Sequence, residues 1–143
     1  MSRFFRSRAA GVVLTTAIVA LTVATANIHL GLGSVLFTLN GLGYLGLAAL
    51  IVIGAAAPFP LVERFSWFPR VALIGYTAMT IAGYLVMGPH FTLGWIAKGI
   101  EVVLIAAVVV DIFRVYRSPM GLVRSALTSV APVLPERFRP TPA

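Results

Sequence analysis

The chain contains no cysteine among its 143 residues. Disulfides, thiolate metal sites and catalysis by a thiol are therefore excluded. Charged residues are also scarce, because they make up 10% of the chain, whereas soluble domains average about 25%. No Asp, Glu, Lys or Arg occurs in residues 9–62 or in residues 71–97. Because one membrane-spanning helix needs ~20 apolar residues, this scarcity predicts an integral membrane protein.

The uncharged stretches, continued to residue 113, are long enough for four membrane-spanning helices. They predict an all-α fold with a four-helix transmembrane domain over residues 1–113. Short turns rich in glycine, at 31–34 and 88–90, separate the two helices of each pair. The four predicted helices cover about residues 10–30, 35–56, 70–87 and 91–113.

A competing interpretation concerns the first helix. The basic residues at the start and the triplet Ala24-Thr25-Ala26 resemble a signal peptide with its cleavage site. The apolar run is long, however, and continues past Ala26. We therefore expect helix 1 to be retained.

The positive charges predict the orientation in the membrane. The chain has 11 Lys and Arg residues against four Asp and Glu residues. All the arginines lie before the first apolar run, in the middle loop or after the last run, which predicts that both termini are cytoplasmic. We expect a multi-pass protein of the cell (inner) membrane, and attraction to anionic lipid headgroups explains the basic bias without nucleic acid as a partner. The arginines are Arg3, Arg6, Arg8, Arg64, Arg70, Arg114, Arg117, Arg124, Arg137 and Arg139.

The predicted cytoplasmic tail, residues 114–143, is basic and contains a short amphipathic stretch. Ser118 followed by Pro119 is a typical N-cap and first helical residue. The apolar side of residues 119–131 predicts an interfacial helix lying on the cytoplasmic surface of the membrane.

Two charges interrupt the fourth apolar run. Lys98 and Glu101 stand near its start, and the rise of a helix places Glu101 ~15 Å below the outer surface, near the midplane. An isolated charge at that depth costs at least ~2.5–3.5 kcal/mol. Lys98 can extend its stem toward water, whereas Glu101 is too short and must face the bundle interior. The two side chains can also meet and neutralise one another, because they are three residues apart on one helix.

The other helices carry polar side chains at similar depth. The inner half of the predicted bundle carries fewer such groups. The sequence therefore predicts a buried polar cluster in the outer half, which is our candidate for a ligand-binding site. Its members are His29, Asn40, Tyr44, Thr80, Tyr84, Lys98 and Glu101.

Several roles for this cluster remain open at the level of sequence. The polar groups can serve only to hold helices together. His29 and His90, the only histidines, could instead ligate haem b iron. Glu101 could carry protons along a path, although a complete channel is not expected from a polar-poor inner half. A pocket for a lipid, a quinone or another small molecule is the remaining alternative.

Three stretches of the chain resemble small four-helix prokaryotic membrane proteins of unknown function. They are NIHLGLGSVLFTLNGLGYLGLAAL, YTAMTIAGYLVMGP and GWIAKGIEVVLIA, which fall between Asn27 and Asp111. The resemblance implies a small polytopic membrane protein and brings no catalytic residues with it.

The sequence contains no nucleophile with a nearby base, no glycine-rich phosphate loop and no paired catalytic carboxylates. We therefore expect no enzyme, no catalytic residue, no metal site and no resident cofactor. The favoured function is a non-enzymatic accessory or structural membrane protein, with the bilayer, other membrane subunits or further copies of itself as partners. The alternatives are a haem-, quinone-, lipid- or other small-ligand-binding protein, and a small transporter that acts as an oligomer.

Overall fold

The structure, a computed structural model, describes residues 7–57, 59–88 and 90–131. These residues form α-helices and contain no strand, which confirms the predicted all-α class. The helices are α1 (Arg8–Gly31), α2 (Val35–Ala56), α3 (Pro60–Arg64), α4 (Trp67–Met87), α5 (Thr92–Tyr116) and α6 (Pro119–Val130).

Serine side chains begin three of these helices. Ser7, Ser34 and Ser118 precede α1, α2 and α6, and each hydroxyl accepts a hydrogen bond from the backbone N–H three residues later. Such a bond satisfies one of the N–H groups that a helix start leaves without a partner. Gly33, with φ +72°, makes the turn between α1 and α2, in a backbone region that glycine enters without steric cost.

The four long helices pack antiparallel in a ring, in the order α1, α2, α4, α5. Apolar side chains fill its centre, and aliphatic and aromatic side chains cover much of its outside. Arg8, Arg64, Arg70 and Arg114 all lie at one end, which we call the basic end. The α1–α2 and α4–α5 turns form the opposite end, which we call the turn end.

Three helices, α1, α2 and α4, are long and apolar enough to cross a membrane. This property indicates a membrane protein. The predicted fourth span corresponds to α5, which has 25 residues but is not among the three, so four spans are not shown.

Helix boundaries differ from the predictions in the middle of the chain. α4 begins at Trp67 rather than residue 70, and α5 ends at Tyr116 rather than residue 113. The short helix α3 lies in residues 57–69, where no helix is predicted because proline breaks helix interiors. Pro60 instead occupies the first helical position, where its missing N–H costs nothing. Arg3, Arg6, Pro58 and residues 132–143 of the predicted tail lie outside the described residues.

α6 is tied to the basic end of the bundle. The guanidinium of Arg64 donates two hydrogen bonds to the Ser129 carbonyl, one of them from Nε at 2.7 Å. The indole N–H of Trp67 donates to the Ser129 hydroxyl at 2.8 Å. Met120, Val123 and Leu127 remain exposed on the other side of α6, as an apolar stripe suited to a membrane surface.

Candidate functional site

Glu101 lies fully buried in the half of the bundle nearer the turn end. Lys98 on α5 places its ammonium nitrogen 2.6 Å from Oε2 of Glu101. Thr80 on α4 donates its hydroxyl hydrogen to Oε2 at 3.0 Å, and Thr25 on α1 donates to Oε1 at 3.3 Å. His29 Nε2 is 3.8 Å from Oε1. The carboxylate is therefore surrounded by groups from three helices.

Tyr44 connects the fourth long helix, α2, to this arrangement. Its hydroxyl lies 2.8 Å from Thr80 Oγ1. The other two neighbours of that oxygen, the Thr77 carbonyl and the Glu101 carboxylate, only accept hydrogen bonds, so Tyr44 must be the donor. We call these six residues the Glu101 cluster: Glu101, Lys98, Thr80, Thr25, His29 and Tyr44.

The orientation of His29 is fixed by the backbone. Its Nδ1 lies 2.8 Å from the Thr25 carbonyl oxygen. Because a carbonyl only accepts, Nδ1 carries a hydrogen. Nε2 is consequently the nitrogen that faces the Glu101 carboxylate.

A cavity of about 420 Å³ adjoins the Glu101 cluster at the turn end of the bundle. Its wall is mainly aliphatic and aromatic, with side chains from all four long helices. Five of the predicted site residues line it: His29, Asn40, Thr80, Tyr84 and Lys98. A mainly apolar cavity with a few convergent polar groups is the usual form of a small-molecule site.

Lys98 pairs with Glu101 and does not extend toward the turn end. It is 7% exposed, and its ammonium lies 5.6 Å from the centre of the Tyr84 ring, in a cation–π contact. Tyr84 packs closely against Gly94 and donates its hydroxyl hydrogen to the Phe91 carbonyl at 3.2 Å. The ion pair and the cation–π contact hold the ammonium inside the protein. Of the two arrangements open to Lys98 from the sequence, the structure therefore shows the pairing with Glu101.

The seven predicted site residues therefore lie in one region of the bundle. Glu101 and Tyr44 are fully buried below the cavity, and the other five line it. Thr25 and Tyr76 were missing from the predicted set. The hydroxyl of Tyr76 donates to the Asn40 carbonyl at 3.0 Å. The only sequence signal for Thr25 was its place on the same helical face as His29.

His90 is not part of this arrangement. Its ring stacks on Trp95 at 5.7 Å and meets Tyr84 edge-on at 5.4 Å. His29, the other predicted haem ligand, directs its Nε2 toward Glu101 rather than toward His90. No group of three or more His, Cys, Asp or Glu side chains suited to a metal occurs in the part of the chain that the structure describes. The geometry gives the haem alternative no support.

A second buried ion cluster occupies the basic end, which the sequence predicted to be poorer in polar groups. Asp111 is 2% exposed and accepts from Arg70 Nε at 2.8 Å and from Arg114 Nη2 at 2.9 Å. Gly11 leaves room for the Arg114 guanidinium, since a Cβ there would lie 2.8 Å from Nη1. The predicted inner half was poorer in polar groups because Arg70 and Arg114 were placed outside the apolar runs, and the structure brings both of them to Asp111 inside the bundle.

An apolar layer separates the two ion clusters. It consists of buried side chains from each of the four long helices: Ile18, Ile51, Leu73, Leu104 and Val108. Within the described residues, no chain of hydrogen bonds crosses this layer. A single copy of the bundle thus provides no continuous polar path between its two ends.

Comparison with known protein families, with curated proteins and with solved structures finds no match to this chain. The resemblance to small four-helix membrane proteins gains no support from these comparisons.

Proposed function

We propose that the protein is a non-enzymatic membrane protein that holds a small, largely apolar molecule in the cavity at its turn end. The cavity beside the Glu101 cluster is the observation that carries this proposal. Its volume of about 420 Å³ falls within the ~300–1,000 Å³ that is common for small-molecule sites.

The position of the cavity favours a molecule that arrives from the membrane. Four of its lining residues, on α2 and α4, are largely exposed on the outside of the bundle: Leu36, Leu39, Met79 and Met87. Met79 lies eight residues before the end of α4, which is roughly 12 Å of helix rise. We infer that the cavity opens to the outside of the bundle between α2 and α4. This opening extends along the side of the bundle, where lipid chains would surround it.

Within this proposal α5 is the fourth membrane span. Its 25 residues rise roughly 38 Å, more than the ~30 Å of a hydrocarbon core. Its charges do not oppose this placement, because Lys98 pairs with Glu101 and Arg114 pairs with Asp111. The arginines at the basic end favour cytoplasmic termini and a place in the cell (inner) membrane.

The remaining roles follow from the same geometry. The apolar layer disfavours a proton or solute path through one copy, so transport would require an interface between copies. Partners among other membrane proteins would contact the lipid-facing surface and leave the cavity free. The buried groups of the Glu101 cluster hold and orient the occupant, with no chemical step assigned to them.

A substitution at Gly83 tests whether the cavity is occupied. Gly83 lines the cavity, and a Cβ there would meet nothing within 4 Å. Gly83→Leu should fill the opening without disturbing the packing of the helices. We expect the variant to fold and to lose the small molecule that mass spectrometry detects in the purified wild-type protein.

Gly75→Leu is the matched control. Gly75 lies two turns earlier on the same helix, and a Cβ there also meets open space, but Gly75 does not line the cavity. The control should retain the molecule. If Gly83→Leu and Gly75→Leu carry the same co-purified molecules as the wild type, the cavity is not a binding site and the Glu101 cluster only holds the helices together.

A further inference from the structure

We propose, on the basis of the function above, that the occupant is a neutral lipid-like molecule whose carbonyl oxygen accepts a hydrogen bond from Lys98. Its apolar part would lie in the opening between α2 and α4. Three features of the cavity lead to this chemical class: unused donors on a buried ammonium, a local charge that is already balanced, and an amide beside the opening.

Lys98 supplies the first feature. Its ammonium group has three N–H donors, and only the bond to Glu101 uses one among the described residues. The side chain is more than nine-tenths buried and lines the cavity. Buried donors without an acceptor are unfavourable. An occupant with an oxygen acceptor would satisfy a donor that the protein leaves unused.

The charge balance restricts the acceptor to a neutral group. Lys98 and Glu101 form an ion pair at 2.6 Å, and their charges cancel. A carboxylate or phosphate in the cavity would be a second anion competing for one ammonium, in surroundings of low dielectric where an unpaired charge is costly. A ketone, quinone or ester carbonyl accepts the hydrogen bond without adding charge.

Asn40 supplies the third feature. It lines the cavity on α2, and its backbone carbonyl is occupied by the Tyr76 hydroxyl. Its side-chain amide makes none of the hydrogen bonds found within the described residues. The amide offers a donor and an acceptor near the exposed Leu36 and Leu39, so it can hold a second polar atom of the occupant.

Four probes separate these features: methyl laurate as a neutral ester, a short-chain benzoquinone, laurate as an anion, and dodecane without a polar group. Binding to the purified full chain would be measured by native mass spectrometry with a concentration series. We expect the ester and the quinone to bind the wild type roughly tenfold more tightly than dodecane, since a hydrogen bond to a charged donor distinguishes them. Whichever of the two binds more tightly indicates whether the natural carbonyl belongs to an acyl lipid or to a quinone.

Two variants connect this preference to the residues. Lys98→Met combined with Glu101→Gln keeps the site neutral and removes the ammonium, so it should reduce ester and quinone binding to the level of dodecane. Asn40→Leu leaves both members of the ion pair in place and should weaken the same two probes to a smaller extent. Dodecane should bind both variants no more weakly than the wild type, because each change makes the wall more apolar, and this result would show that the cavity is intact.

The result that would overturn the inference differs from the one that would overturn the proposed function. Equal binding of ester and dodecane by the wild type, or tighter binding of laurate, excludes recognition of a neutral carbonyl by Lys98. If the inference fails in this way but Gly83→Leu prevents the ester, dodecane and laurate from binding, the cavity remains a binding site for apolar molecules. Failure of every probe to bind the wild type, together with no effect of Gly83→Leu on co-purified molecules, excludes both.

Discussion

At the scale of single residues, Glu101 is the group that the fold must accommodate. A buried charge is tolerated when it is paired and hydrogen-bonded, and Glu101 has an ammonium, two hydroxyl donors and an imidazole around its two oxygens. Removal of one member of a buried ion pair usually costs more than removal of both, because the remaining charge loses its partner. The coupling between Lys98 and Glu101 is therefore measurable.

A double-mutant cycle on this pair should show strong coupling. Lys98→Met leaves a buried carboxylate and Glu101→Gln leaves a buried ammonium, so each should cost about 3–5 kcal/mol of stability. The double variant removes both charges and should cost clearly less than the sum of the two. Thermal unfolding of the four proteins in the same detergent provides the measurement. Additive losses would show that the two side chains do not depend on each other.

At the scale of helices, glycines determine how closely α2 approaches its neighbours. The Tyr76 ring of α4 occupies the space beside Gly43, and a Cβ at Gly43 would overlap its hydroxyl and ring carbons. Gly41 similarly receives Leu30 of α1, whose Cγ would lie 2.7 Å from an added Cβ. Small residues of this kind let membrane helices pack at short range. The contact at Gly43 also supports the Tyr76–Asn40 hydrogen bond in the wall of the cavity.

Gly43→Ala should accordingly destabilise the bundle by about 1–3 kcal/mol, as other overpacked cores are. Gly46→Ala on the same helix is the control, because a Cβ there meets open space and alanine favours the helix by up to ~1 kcal/mol. Unfolding temperatures measured in detergent should therefore fall for the first variant and stay or rise for the second. A Gly43→Ala protein as stable as Gly46→Ala would contradict the close contact with Tyr76.

The helices themselves could be predicted well because their signals are local. Uncharged apolar runs and glycine turns placed α1, α2 and the core of α4 and α5, and Ser118 with Pro119 placed α6. Helix α3 and the early start of α4 were missed, since proline breaks a helix interior but is tolerated in the first turn, where Pro60 and Pro69 stand. The pairing of Asp111 with Arg70 was missed for another reason: it joins residues 41 positions apart, and no local pattern reports such a contact.

At the scale of the whole molecule, the bundle consists of two ion clusters with an apolar layer between them. The sequence predicted which polar residues would share one half of the bundle, because antiparallel helices place them at similar depth. It offered a ligand pocket and the pairing of Lys98 with Glu101 only as alternatives, since it does not give the shape of the cavity or the position of the Lys98 side chain. Both are consequences of packing between helices that are distant in sequence.

The orientation of the bundle in the membrane can be tested directly because the chain contains no cysteine. Single cysteines would replace Ser34 in the α1–α2 turn and Thr92 at the start of α5, both at the turn end, and Glu63 in α3 at the basic end. Glu63 is preferred to Ser66 there, since the Ser66 hydroxyl lies 3.0 Å from the Tyr116 hydroxyl.

The distribution of arginines predicts that the basic end is cytoplasmic. A membrane-impermeant maleimide added to intact cells should then label positions 34 and 92, and it should label position 63 only after the membrane is permeabilised. Labelling of position 63 alone in intact cells would show the reverse orientation, whereas labelling of 34 without 92 would show that α4 does not cross the membrane.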